Sequence, residues 1–169
     1  MRTAKWLVNG LGNVLLGLTG VCAVFLAGCI LTGCTPYIVL SGSMEPNIKT
    51  GSLCVVDTKA AFHEIKTGDV IAFETGSGSL VTHRAVAFRD GLIETKGDAN
   101  AVTDGLTTSE ANFRGRTICS IPYLGYVLSW LQTGRGKVLA VTGMATLALL
   151  SLWFDEKEKE RKLLEGTNR

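Results

Sequence analysis

The stretch "SLVTHRAVAFRDGLIETK", Ser79 to Lys96, decides the fold. Val, Thr, Phe and Ile recur through it, and Asp90-Gly91 interrupts it where both residues tolerate positive φ. That pattern predicts a β-hairpin with strands over Ser79–Phe88 and Leu92–Lys96. Outward from the hairpin, short apolar or alternating runs recur between turn signals: Tyr37–Ser41, Ser52–Asp57, Asp69–Glu74 and Arg116–Ser120. Thr67-Gly68-Asp69 and the "TGSGS" of Thr75 to Ser79 are the intervening turns. No sustained helical periodicity, internal repeat or low-complexity tract breaks the region, and Ile121-Pro122-Tyr123 closes it. The "LGYVLSWL" that follows is expected to form a short amphipathic helix at a membrane surface. The expectation is a mainly β domain over 35–134, large enough to bury a modest core.

What flanks this domain is apolar. No charged residue occurs from Trp6 to Met44, and Val14 to Leu31 is dense in Leu, Val, Ala, Phe and Ile. Crossing a bilayer takes roughly 20 apolar residues, so residues 1–34 are read as a cytoplasmic stub and a transmembrane helix. A second uncharged run, "VLAVTGMATLALLSLWF" from Val138 to Phe154, makes residues 135–154 a second span. Thr142, Gly143 and Thr146 weaken that run, and a buried or interfacial helix is its rival. Arg2 and Lys5 precede the first span; Lys157, Lys159, Arg161, Lys162 and Arg169 lie in the charged tail, 155–169. Cytoplasmic loops carry excess Lys and Arg, so both ends are placed inside and the β domain outside. The rival for the first span is a cleaved signal peptide, and "LAGC" and "LTGC" before Cys29 and Cys34 have the look of a lipoprotein acylation site.

The totals agree with a membrane protein. Hydrophobic residues make up 46% of the 169 and charged residues only 19%. A net charge of +2, with no basic stripe or aromatic stacking pattern, argues against nucleic acid as a partner. Five cysteines are an odd count; Cys54 and Cys119 fall in predicted strands and can pair in an oxidising compartment. No Cys/His spacing suggests a metal.

Three stretches carry candidate chemistry. "SGSMEP", Ser41 to Pro46, follows the first span directly. His83 stands in the middle of the hairpin's first strand, whereas His63, in the polar "AFHEIKTGD", is expected to be an exposed loop residue. "KGDANAVTDG", Lys96 to Gly105, supplies Asp98 and Asp104; it lacks the ligand spacing and terminal Glu of a calcium loop. A serine hydroxyl needs a neighbouring base to become a nucleophile, and a carboxylate on the far ring nitrogen fixes the base's tautomer. Ser, His and Asp are all present, in an order unlike the chymotrypsin, subtilisin and α/β-hydrolase orders. The residues themselves reach as far as a serine hydrolase held against a membrane.

"SGSMEP" resembles the serine box of type I signal peptidases, "GDVIAF" (Gly68 to Phe73) the strand that follows it, and "VTHRAV" the general-base strand. Where most bacterial members have lysine, this chain has His83, which makes it similar to the subgroup of the endoplasmic reticulum, archaea and some Gram-positive bacteria. "KGDANAVTD" is similar to that subgroup's acidic box, and "RGRTICSIPYLGYV" to the segment leading into its C-terminal membrane helix. The resemblance covers about residues 36 to 128, and Asn47 replaces the usual threonine after proline. It implies a signal-peptidase-like β domain flanked by transmembrane helices, with Ser43 as nucleophile and His83 as general base. It further implies Asp104 as first choice for the His83 partner, Asp98 as supporting or alternative acid, and an oxyanion hole from the Ser41 hydroxyl and the Ser43 N–H. It implies no cofactor or metal, signal-peptide-bearing preproteins as substrates, a multi-pass place in the cell membrane, and association with the secretion translocon. The alternative is a membrane-anchored binding module, or a lipoprotein, on the same fold without peptidase activity.

Overall fold

The computed structural model describes residues 2–167. In chain order it contains helix α1 (Arg2–Thr32), strands β1 (Cys34–Ile38), β2 (Leu53–Asp57), β3 (Val70–Glu74), β4 (Leu80–Arg89), β5 (Leu92–Lys96), β6 (Leu106–Thr108) and β7 (Phe113–Ile121), then helices α2 (Leu124–Gln132) and α3 (Gly134–Thr167). By contacts the chain forms two compact units, residues 26–130 and residues 1–25 with 131–169.

The unit over 26–130 is built on one antiparallel sheet of seven strands, ordered β1-β2-β7-β3-β4-β5-β6. The hairpin forms as its sequence predicts, with Asp90 at φ 52 and Gly91 at φ 74 carrying the turn between β4 and β5. Ile71, Phe73, Ala85 and Ile93 form a core cluster with Ile65, and Val81 packs against it. One residue of slippage between Ala85 and Ala87 marks a bulge in the β4–β5 ladder. A second bulge lies where β3 meets β7, next to Gly115. Gly115 sits at φ 141, and a Cβ there would come within 2.2 Å of the Asp57 carbonyl oxygen, so no other residue fits.

One expectation needs correction, and one possibility that the sequence leaves open is answered. The first strand is not Tyr37–Ser41: β1 runs over Cys34–Ile38, and the chain leaves the ladder after Val39, whose N–H donates to the Ser52 carbonyl at 2.9 Å. The reason is Met44, 1% exposed, which with Ile48 and Cys54 forms a second core cluster and bends residues 41–47 away from the sheet. Nor do Cys54 and Cys119 pair. They stand one register step apart on β2 and β7, with Cys54 buried and Cys119 exposed, so their side chains leave opposite faces. Burial pushes the Cys54 thiol up to about 11, as befits a packing residue.

The other unit holds most of α1 and α3. Twenty-seven residues, Trp6–Thr32, and twenty-eight, Gly134–Arg161, are long and apolar enough to cross a bilayer. The Ser151 hydroxyl donates to Asn9 Oδ1 at 3.2 Å, joining the two helices. α3 is one continuous helix that carries the "DEKEKERK" segment as its last turns; Arg169 of the expected tail lies outside the described residues.

Candidate active site

The Ser41–Thr50 turn is folded by its own side chains. Glu45 Oε1 accepts from the Thr50 N–H at 3.2 Å and the Thr50 hydroxyl at 2.9 Å, and these bonds hold its carboxyl below the usual range. Glu45 N–H donates to the Gly42 carbonyl at 3.0 Å and Ile48 N–H to the Met44 carbonyl at 2.8 Å, closing successive turns. Met44 is driven inward, so Ser43, one residue before it, is left half-buried at the rim. The short spacing of Ser and Met is thus a plug beside a presented hydroxyl.

His83 reaches that hydroxyl from β4. It lies opposite Ile71 in the β3–β4 register and is 7% exposed, with Phe73 edge-on to its ring at 6.3 Å. His83 Nε2 is 2.9 Å from Ser43 Oγ, and Nδ1 is 2.5 Å from Asp104 Oδ2. A carboxylate only accepts, so Nδ1 carries the proton donated to Asp104, and in the neutral ring Nε2 then presents its lone pair to the Ser43 hydroxyl. The same Asp104 oxygen accepts from the buried Thr95 hydroxyl at 2.7 Å, and Asp104 N–H donates to the Thr95 carbonyl at 2.8 Å. Thr95 is therefore a site residue that the sequence did not mark: a lone threonine in an alternating strand carries no distinguishing signal.

Asp98 is elsewhere in the network. Arg84, the residue after His83, clamps its carboxylate in bidentate fashion, Nε to Oδ1 at 2.8 Å and Nη2 to Oδ2 at 2.6 Å. Asn47 Nδ2 adds a third donor to Oδ2 at 2.8 Å. The Arg84 bonds hold the Asp98 carboxyl below the usual carboxylate range, against burial, which pushes the other way. Arg84 also donates to the Gly68 carbonyl at 2.7 Å, fastening the acidic loop to the turn before β3. The loop in turn grips the serine: Ala99 N–H donates to the Ser43 carbonyl at 2.9 Å. A Cβ on Gly97 would come within 2.6 Å of that carbonyl, so glycine is required there.

Ser41 Oγ stands 3.3 Å from Ser43 Oγ. Both serines line a cleft of about 620 Å³ with Leu40, Leu80, Val81 and His83. On the cleft side, β4 residues Leu80–Thr82 pair only with β3, because the β5 ladder begins at Arg84. Their second main-chain edge is open among the described pairings. His63 lies in a single 3-10 turn, Phe62–Glu64, exposed and apart from these residues. Among the described residues no group of three His, Cys, Asp or Glu could hold a metal ion.

Comparison with known proteins gives the arrangement its relatives. Residues 13–105 match the family model described as signal peptidase, peptidase S26. The chain is 43% identical over 88 residues to signal peptidase I W of Bacillus subtilis, which covers 50% of this chain and 46% of that protein. It is 32% identical over 127 residues to SEC11, the signal peptidase complex catalytic subunit of Eremothecium gossypii, covering 67% of this chain and 75% of that one. A similar match, 29% over 128 residues, joins it to SEC11 of Colletotrichum graminicola, with 65% and 73% covered. The match therefore spans about half of the Bacillus relative and about three quarters of the fungal ones. The chain belongs to the signal peptidase family, peptidase S26, a family of serine endopeptidases.

Proposed function

We propose that this chain removes signal peptides from exported preproteins, with Ser43 as nucleophile, His83 as general base and Asp104 as the acid that orients it. The observation that carries the reading is the continuous line from Ser43 Oγ through the His83 ring to Asp104 Oδ2, at 2.9 and 2.5 Å. Membership of the family supports signal-peptide removal as the reaction.

The substrate lies extended in the cleft, where the open edge of Leu80–Thr82 offers main-chain donors and acceptors to an added strand. Ser43 Oγ bonds to the scissile carbonyl carbon as its proton passes to His83 Nε2. The oxyanion is held by the Ser43 N–H and the Ser41 hydroxyl, which the 3.3 Å contact keeps beside the nucleophile. The C–N bond breaks, and His83 returns the proton to the departing amine of the mature chain. Water, deprotonated by the same imidazole, then hydrolyses the ester and frees Ser43. Asp104 stabilises the imidazolium throughout, and Thr95 keeps its carboxylate aimed.

The site works at a membrane surface. The two apolar helices are compatible with membrane association, and the Lys and Arg residues outside both spans support a multi-pass chain with the catalytic unit on the extracytoplasmic side. Similarity to a subunit named as part of a signal peptidase complex supports action within a larger assembly.

The test is a preprotein in vesicles. Wild type is expected to release the signal peptide and to be acylated on Ser43 by a serine-directed probe. Ser43→Ala, folded by circular dichroism, should do neither. Cleavage retained by Ser43→Ala would overturn the assignment.

A further inference from the structure

α2 carries no Asp, Glu, Lys or Arg. A short helix on a water-facing domain normally turns charged residues outward. Here Leu124, Gly125 and Leu128 turn inward, while Tyr126, Val127 and Trp130 on the other side are 50–55% exposed. Tyr123, just before the helix, is likewise 55% exposed. Tyr123 also holds φ 63, a left-handed conformation that glycine or asparagine adopts at lower cost.

Two observations say what this face meets. The first is connectivity: Thr133 alone stands in the chain between α2 and α3, whose first twenty-eight residues can cross a bilayer. The last residue of the face, Trp130, is therefore no more than about 14 Å of chain from the start of a candidate span. The second is chemistry. Tyr and Trp are the side chains that favour the headgroup zone of a bilayer. Lys49 adds a positive charge at the rim, its Nζ 3.1 Å from the Tyr123 hydroxyl and 5.4 Å from the ring centre, suited to anionic lipid.

α2 is also locked to the nucleophile turn. The Tyr126 ring lies so close to Gly51 that a Cβ there would be 2.0 Å from it, and a Cβ on Gly125 would be 2.7 Å from the Gly51 carbonyl. Gly51 N–H donates to the Val39 carbonyl at 2.8 Å, two residues before Ser41. We propose that the Tyr123, Tyr126, Val127 and Trp130 face of α2 seats in the headgroup zone of the bilayer and so fixes the height of the Ser43 turn above the lipid. This deepens the signal-peptidase reading, and rests on it for the role of Ser43 and on α3 as a membrane span. The face acts as a depth gauge, holding the cleft where a membrane-embedded peptide leaves the hydrocarbon.

The experiment uses the full chain in phosphatidylcholine–phosphatidylglycerol vesicles. The chain has three tryptophans, so Trp6→Phe with Trp153→Phe leaves Trp130 as the reporter. Its fluorescence should be quenched by phosphatidylcholine brominated near the headgroup end of the acyl chain and shielded from aqueous iodide. Quenching by iodide with none from the bromolipid overturns the proposal. Trp6→Phe with Trp130→Phe leaves Trp153 to report on α3 alone, so failure of the span and failure of the α2 face are told apart. Val127→Glu supplies the functional arm. It should slow cleavage of a vesicle-embedded preprotein about tenfold, through loss of interfacial burial, while leaving cleavage of a short water-soluble signal-site peptide unchanged. Equal preprotein cleavage by Val127→Glu and wild type overturns the depth-setting role. If wild type cleaves neither substrate, the peptidase reading fails while the quenching result still decides where the face lies.

Discussion

Asp98 and Asp104 share one loop, one charge and one neighbourhood, yet they meet opposite kinds of partner. Asp98 is gripped by Arg84 and Asn47; Asp104 faces His83 and Thr95. A guanidinium stays charged at any working pH, so the Arg84 pair is permanent and serves to fasten the loop. An imidazole can both accept and donate a proton, so the His83 pair can change state during a reaction. The two acids differ in the partner that β4 turns toward each: consecutive residues His83 and Arg84 leave opposite faces of the strand and take one acid apiece.

The sharpest way to break this comparison is to neutralise each acid in turn. Asp104→Asn leaves the shape of the side chain but lets its amide favour the wrong imidazole tautomer, and a loss in kcat of about 10⁴ is expected, as for the corresponding change in a serine triad. Asp98→Asn should keep most of kcat and instead lower folding stability by about 1.5–3 kcal/mol, the worth of hydrogen bonds to a charged group. Initial rates on a peptide substrate, beside thermal melts of the same preparations, check both. Equal kcat losses from the two variants would erase the distinction.

Acid sharpens it further. The Asp98 carboxyl is held below the usual range in the folded chain, chiefly by Arg84. A depressed carboxyl contributes stability that is present in full above the unfolded value, about 3.9, and is lost as pH falls through the folded one. The melting-temperature gap between wild type and Asp98→Asn should therefore be constant from pH 7 to about 5 and close as the pH drops below about 4. A gap that widens in acid would reverse the sign of the assignment.

Much of this was legible in advance, for definite reasons. The hairpin could be read because Asp90-Gly91 states its turn locally, and three further strands because Gly, Asp and Ser mark most of their boundaries. The first strand was misplaced because Met44, nominally in a polar turn, is a core residue that bends the chain early. β6, three residues long, offers too few positions for a pattern to show. At the site, Ser43 and His83 belong to short sequence boxes, so each could be named. The choice between Asp98 and Asp104 depends on which face of β4 each meets. That follows from the bulge and register of the β4–β5 ladder, a property of two strands together that neither shows alone. Arg84 stood beside His83 in the quoted hairpin, but its partner lies across a loop.

The smallest effect is expected at Asn47. Its amide is exposed and adds one bond, 2.8 Å, to a carboxylate already held twice by Arg84. Asn47→Ala should therefore cost only about 1.5 kcal/mol, the low end for a hydrogen bond to a charged group, because the amide is exposed. Yet Asn47 stands on the turn that presents Ser43 and Asp98 on the loop that grips the Ser43 carbonyl, so this bond is a second tie between the Ser43 turn and the acidic loop. If that tie sets the serine's position, Asn47→Ala will lower kcat severalfold with KM unchanged, and Asn47→Gln, one methylene too long, will not restore it. If the bond merely decorates the Asp98 clamp, both variants will match wild type in kcat and differ only in the melt. The Asp98 side would then be purely a fastening, with no share in aiming the hydroxyl that His83 and Asp104 activate in the proposed mechanism.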